Sequence, residues 1–174
     1  MSRTKDENDT LSEEIKECNA YAPDLAVDIH NNAGGGDGAE AFYHYGGGTS
    51  KTLAENILAE IVKVGQNSRG AKIRKNDNGK DYYGFIRQTS CPAVIVECAF
   101  VDNPTDLKIL VTEGDRQKVG QAVGYGILKT LGIEFQSETS IIYRVQVGAY
   151  SIRQNAEAMQ KKLKEAGFNS YITK

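Results

Sequence analysis

Hydrophobic and polar positions along the chain follow a period of two in some stretches and a helical period in others, and the order of these stretches predicts the architecture. Leu25, Val27 and Ile29 alternate with Ala26, Asp28 and His30, which predicts a short strand with one apolar face and His30 as its last residue. Ala93-Val94-Ile95-Val96 is apolar without a break, as expected of a strand covered on both faces in a parallel sheet, and the run terminates in Glu97. Glu40 to Tyr45 predicts a further strand of aromatic and polar residues. Three stretches carry helical spacing. Leu11, Ile15 and Cys18 follow a capping box, Thr10-x-x-Glu13. Leu53, Ala54, Ile57, Leu58, Ile61 and Val62 form a broad stripe between Ser50, a candidate N-cap, and Gly65. Val119, Ala122, Val123, Ile127 and Leu131 face inward on a helix from Asp115 to a stop at Gly132. Gly120, Gly124 and Gly126 weaken that helix, so close packing against the sheet is the expected compensation. The polar and basic run Ser68 to Asp81 reads as a solvated loop that could flank a groove. The fold class predicted is α/β, an open, mostly parallel sheet flanked by helices.

The C-terminal part is organised separately. Gln136 to Ser140 is a polar link, Tyr143 to Tyr150 alternates as a strand, Ser151-x-x-Gln154 opens a helix carrying Ala156, Met159, Leu163 and Ala166, and Phe168 to Thr173 reads as another strand. The expected division is a main domain at 1–134, a linker at 135–141 and a small, partial α+β module at 142–174. One strand, one helix and one strand cannot close a core alone.

Composition narrows the function classes. The 174 residues contain 40% hydrophobic positions, enough for one ordinary domain plus a small module. A net charge of −2, from 21 basic and 23 acidic residues, leaves no electrostatic footprint for nucleic acid or an anionic membrane. No apolar run approaches a membrane span, and the polar start MSRTKDENDT does not read as a signal peptide. Cys18, Cys91 and Cys98 are odd in number and irregular in spacing, which does not look like a disulfide framework. Cys98 reads as a small core residue.

Candidate chemistry lies at the ends of the two apolar strands. Ligands of open α/β sheets sit outside the carboxyl ends of the strands, and there His30 is followed by Asn31, Asn32 and the glycines 34, 35, 36 and 38, which allow close approach of backbone to a bound group. A single histidine in such a place is more often a hydrogen-bonded structural residue. Glu97 changes the balance, because a carboxylate entering an apolar setting loses hydration and its pKa rises toward the range useful for proton transfer. A metal ligand and a general base sharing one crevice is the combined expectation. His44, between Tyr43 and Tyr45, is read as a surface residue rather than a ligand.

The stretch DIHNNAGGG followed by Gly38-Ala39-Glu40, together with Cys91-Pro92-Ala93-Val94-Ile95-Val96-Glu97-Cys98-Ala99-Phe100-Val101-Asp102-Asn103, resembles the zinc-dependent N-acetylmuramoyl-L-alanine amidases. Arg3-Thr4-Lys5-Asp6 with Leu11, Ser68-Arg69-Gly70-Ala71-Lys72 and Arg87 extend the likeness over roughly residues 2 to 133, with Glu14 a departure where that family often carries arginine. Tyr143 to Tyr150 followed by a helix is similar to the first half of a SPOR module, a peptidoglycan-binding unit. The resemblance implies a cell-wall hydrolase acting in or outside the wall and cutting the amide between N-acetylmuramic acid and L-alanine. It implies Zn2+ held in part by His30, Glu97 as catalytic base, and Asn31, Asn32 and Arg87 at the substrate. It also implies that the family's first strand, first helix and next strand, with two zinc ligands, have no counterpart after Met1. Self-association that completes the truncated parts is one way round this; a non-catalytic peptidoglycan-binding or regulatory protein is the alternative function. Another zinc hydrolase, such as a carboxypeptidase, is a further reading that the paired motifs disfavour.

Overall fold

The computed structural model describes residues 10–134 and 146–173. The chain divides into two compact units, Met1–Phe135 and Gln136–Lys174. In the first, helix α1 (Leu11–Tyr21) starts where the capping box predicts: the Thr10 hydroxyl accepts from the Glu13 backbone N–H and the Glu13 carboxylate accepts from the Thr10 N–H at 2.8 Å. Four strands follow, β1 (Ala26–Asn32), β2 (Ala39–Tyr43), β3 (Ser68–Lys72) and β4 (Ala93–Phe100), interleaved with α2 (Thr49–Lys63) and α3 (Gly84–Gln88). A 3₁₀ turn at Asp106–Ile109 and helix α4 (Glu113–Thr130), capped by Thr112, complete the unit.

The sheet order is β1-β4-β2-β3, with β1 and β4 parallel, β2 and β3 parallel, and β2 antiparallel to β4. The alternation along β4 divides its side chains between two cores. Val94, Val96 and Cys98 point with Ala39 and Ala41 toward α2 and α4, where Leu53, Ile57, Ile61, Val119, Ala122 and Val123 bury them. Ala93 and Ile95 point with Ala26 to the other face, where Ile15 of α1 and Phe85 and Ile86 of α3 cover them. Both faces of β4 are therefore dry, as its unbroken apolar run requires. The α1 and α3 cover stops short of the far end of this second face, and the side chains beyond Ile95 and Ala26 define the site.

Several elements differ from the sequence reading. β4 continues three residues past Glu97, because Cys98, Ala99 and Phe100 remain buried. Ser68–Lys72 is a strand rather than loop, and its polar side chains are half-covered because they reach a carboxylate on β2. The N-cap of α2 is Gly48, at φ 65°, while Ser50 lies inside the first turn and its hydroxyl donates to the Gly47 carbonyl at 2.9 Å. Ile29, on the outermost strand, and Leu131, past the last turn of α4, are exposed rather than inward. In α4 the close approach is to α2, not to the sheet: a Cβ on Gly126 would sit 2.5 Å from the Ile57 Cα, whereas Gly120 has nothing within 4 Å.

The second unit contains α5 (Arg153–Glu165), followed by Gly167 at φ 88°. None of its helical residues is buried, and the Gln160 side chain donates to the Ser170 carbonyl at 2.9 Å. Residues 146–150 and 168–173, read from the sequence as strand, carry no regular structure, since α5 offers them no sheet partner to pair with. The predicted linker and residues 143–145 lie outside the described residues.

The two glycines of α4 give opposite expectations for the same substitution. Gly126→Ala should destabilise the unit by about 1–3 kcal/mol through overpacking against Ile57. Gly120→Ala, exposed and unobstructed, should stabilise it by up to about 1 kcal/mol. Urea unfolding of the two variants measures both signs.

Candidate active site

The parallel register of β1 and β4 sets His30 directly beside Glu97, and the antiparallel register of β4 and β2 sets Glu97 directly beside Glu40. Neighbouring strands are about 4.8 Å apart, so three functional groups form one row across the sheet. Asp28 lies two residues before His30 and shares its side of β1, with its Oδ2 at 2.9 Å from His30 Nε2. All four point to the face covered lower down by α1 and α3, and beyond that cover the imidazole is half-exposed. The structure thus brings His30 and Glu97 together on one face of the sheet.

Glu97 occupies the centre of the row. Burial raises its pKa above the ordinary carboxylate value, the neighbouring charges of Glu40 and Asp28 push the same way, and His30 opposes them. Its Oε2 is buried and has no hydrogen-bond partner among the described residues. A carboxylate in that condition gains most from a water molecule or a proton.

Glu40 is the counterpart held ionised. It is 6% exposed, and burial works against its charge, but hydrogen bonds from Lys72 and Arg69 outweigh that and lower its pKa. The Arg69 Nε–Glu40 Oε2 distance is 2.9 Å, Lys72 Nζ bonds the same oxygen, and Asn32 Nδ2 donates to Glu40 Oε1 at 3.0 Å. The Arg69 guanidinium also lies 5.2 Å from the centroid of the Phe100 ring.

The glycine loop has a different use from the one expected of it. The Gly34 and Gly35 N–H groups both donate to Asp102 Oδ2 at 2.8 Å, Asn103 Nδ2 donates to the Gly36 carbonyl, and Gly38 N–H donates to Asp106 Oδ2. Asp106 is fully buried and its Oδ2 also accepts from the Phe100 N–H, so the loop is stitched to the end of β4. Gly36 must be glycine, since a Cβ there would fall 2.2 Å from the Phe100 ring. These backbone donors hold the protein together rather than a ligand.

Of the candidate substrate residues, Asn31 is exposed at the end of β1, and Asn32 is occupied by Glu40 and by the Ala33 N–H, which its Oδ1 accepts. Arg87 is not in the cleft. It donates to the Asp81 and Tyr82 carbonyls and lines a cavity of about 270 Å³ with His44, Ser50 and Ala93. Ala93 precedes Glu97 by four residues, or about 13 Å along the strand. His44 faces Asp81 at 3.3 Å and packs against the Tyr45 ring. Cys98 is buried on the opposite face, its thiol pushed up to about 12 by that burial. Asp28, Arg69 and Lys72 carry no assignment in the sequence reading. For Arg69 and Lys72 the strand is masked by Gly70, at φ 85°, which breaks the period-two pattern of β3.

Zinc sites that catalyse hydrolysis need three protein ligands and an open position. His30, oriented by Asp28, suits one such position. No group of three or more His, Cys, Asp or Glu side chains arranged for a metal occurs among the described residues. A full zinc shell is therefore not made by them.

The site is an imidazole and a carboxylate of raised pKa side by side on one face of an α/β sheet. A family model described as N-acetylmuramoyl-L-alanine amidase matches residues 1–129, and the chain belongs to that family. A SPOR domain model matches residues 121–174. The chain is 28% identical over 175 residues to the N-acetylmuramoyl-L-alanine amidase CwlM of Bacillus licheniformis and 26% identical to the sporulation-specific N-acetylmuramoyl-L-alanine amidase of Bacillus subtilis (strain 168). Each match covers 99% of this chain and 65% of the relative. Among solved structures, Cwp6 from Clostridium difficile superposes with TM-score 0.74 at 39% identity, over 75% of this chain and 22% of that one. The N-acetylmuramoyl-L-alanine amidase from Clostridium difficile 630 gives TM-score 0.66 at 26% identity, over 75% and 70%.

The Glu40 pair gives a pH-dependent expectation. Because its folded pKa lies below the ordinary 4.5, its contribution is complete above about pH 4.5 and is lost as pH falls through the folded value. Glu40→Gln should be less stable than the unmodified chain at neutral pH, and the difference should shrink in acid. Thermal melts of both from pH 7 to 3 measure it.

Proposed function

We propose that this chain carries the catalytic base of a peptidoglycan amidase, hydrolysing the amide between the lactyl group of N-acetylmuramic acid and L-alanine. The observation that supports this most is the in-register pair of His30 and Glu97 on an open sheet face. The chain spans 65% of the length of the two curated relatives, so the activity is proposed for the polypeptide of which these residues form part. Glu97, unsatisfied at Oε2 and raised in pKa, takes the proton from an attacking water and returns it to the leaving amine. Asp28 holds the His30 ring in place. Glu40, kept ionised by Arg69 and Lys72, maintains the negative field that favours the protonated form of Glu97 between the two transfers.

A zinc ion, when bound with His30 as one ligand, would supply polarisation of the water and the scissile carbonyl. The described residues furnish no group of three ligands for it. Asn31, exposed at the end of β1, is the residue proposed to touch substrate. The SPOR match supports glycan attachment by the C-terminal unit, and with it a place of action in the cell wall. No helix among the described residues is long and apolar enough to cross a membrane.

A second reading has its own support. A single candidate ligand together with a match to a binding module fits a protein that holds peptidoglycan without cutting it. Sedimentation with purified sacculi, assayed alongside metal content and oligomeric state, distinguishes the two: binding with no released L-alanine amino termini is the second.

For the cleaving form, Glu97→Gln should lower release of L-alanine amino termini by at least about 100-fold. Its metal content should be unchanged, and its melting temperature equal or higher, because the uncharged side chain avoids the desolvation that burdens Glu97. Cleavage at the normal rate would remove Glu97 from the mechanism.

A further inference from the structure

Cys18 and Cys91 stand 73 positions apart in sequence but meet at the inner end of α1. Their chain neighbours are clamped together. Asn19 Nδ2 donates to the Gln88 carbonyl at 2.9 Å, and its Oδ1 accepts from the Ser90 N–H at 2.8 Å and the Ser90 hydroxyl at 3.1 Å. Beside this clamp the two cysteines pack, each half-buried, against the same apolar cluster of Ile15, Phe85, Ile86 and Ala93. Burial raises the Cys91 thiol above its ordinary pKa, and the neighbouring Cys18 thiol pushes the same way. Cys91 also lines the cavity of about 270 Å³ that opens at the start of β4, which gives a small solute access to it. The third cysteine, Cys98, is buried on the opposite face under α2 and α4 and takes no part.

We propose that Cys18 and Cys91 form a redox pair that closes into an intramolecular disulfide, tying α1 to the segment that leads into β4. Small-molecule disulfides supply the oxidising equivalents. One cysteine thiolate attacks the solute disulfide, releasing one small thiol and leaving a mixed disulfide, and the second cysteine displaces the other small thiol. The Cys18 Sγ–Cys91 Sγ bond forms and the solute S–S bond breaks. The two cysteines are oxidised, and the solute leaves as two thiols carrying the two cysteine protons. The Asn19 clamp holds the backbones in place while this happens, so closure proceeds without unfolding of α1. The cross-link would limit the unfolded chain over a long loop, which raises stability, and it would fix α1 over the lower half of the face that carries His30 and Glu97. The inference is independent of the proposed hydrolysis.

The test uses the full chain, native and reduced, equilibrated with oxidised glutathione, then blocked with N-ethylmaleimide and digested without reductant. The expected result is a linked peptide pair containing residues 18 and 91, one blocked thiol at Cys98, and a melting temperature raised by roughly 10 °C that returns on adding dithiothreitol. Cys98→Ser should leave the linked pair in place, and Cys18→Ser should abolish it, giving glutathione on Cys91 instead. Three blocked thiols after prolonged equilibration, stable glutathione adducts on both Cys18 and Cys91 of the unmodified chain, or a bridge between two chains would each overturn the proposal. The peptide map of the unmodified chain decides the matter even if a variant fails to fold.

Discussion

The pairing of β1 with β4 is the constraint on which the rest of the unit depends. Five consecutive residue pairs, from Ala26 with Ala93 to His30 with Glu97, run in parallel before the register shifts. A slip of one residue would turn every side chain of β1 to the other face and separate the imidazole from the carboxylate. What prevents the slip is burial on both sides of β4: Val94 and Val96 are locked under α2 and α4, and Ala93 and Ile95 under α1 and α3. The register is also pinned beyond the site, where the Val101 N–H donates to the Asn32 carbonyl and Asp102, Asn103 and Asp106 bind the glycine loop. Apolar packing at one end, and at the other the buried Asp106 with the half-buried Asn103 and the exposed Asp102, hold the row of Asp28, His30, Glu97 and Glu40 between them.

Within that row the charges are treated unequally. Glu40 receives a lysine, an arginine and an asparagine and stays ionised despite burial, whereas Glu97 receives no hydrogen bond at Oε2 and is raised in pKa by burial, which His30 only partly opposes. Two carboxylates on adjacent strands thus differ in proton affinity because their environments differ, which is the usual way a fold separates a fixed charge from a proton carrier. The cations on β3 serve this division. Gly38, at positive φ just before β2, lies against the Asn67 carbonyl, where a Cβ would fall at 2.8 Å.

The opposite end of the sheet shows the same economy with different chemistry. Arg87 is tied to two backbone carbonyls, His44 faces a buried aspartate, and Asn19 clamps α1 to the approach to β4. Asn19 ties the end of α1 to the end of α3 and the residues that follow it, and Arg87 ties α3 to the residues before it.

The sequence alone was sufficient for the elements with a strong period and for the two residues at the heart of the cleft. The capping box of α1, the stripe of α2, the inward face of α4 and the dry strand β4 follow from local rules that the tertiary structure has no reason to override. His30 and Glu97 stood out because each interrupts an apolar strand. Tertiary structure alone decided which side chains answer them. Ser68–Lys72 has too little apolar character to declare itself a strand and becomes one because Glu40 needs its cations. The donors of the loop glycines are occupied by Asp102 and Asp106 rather than left for a ligand, and Arg87, a substrate candidate by resemblance, lies at the other end of the strand from Glu97. Contacts between residues about 30 to 70 positions apart leave no periodic trace in a chain, and only the folded register reveals them.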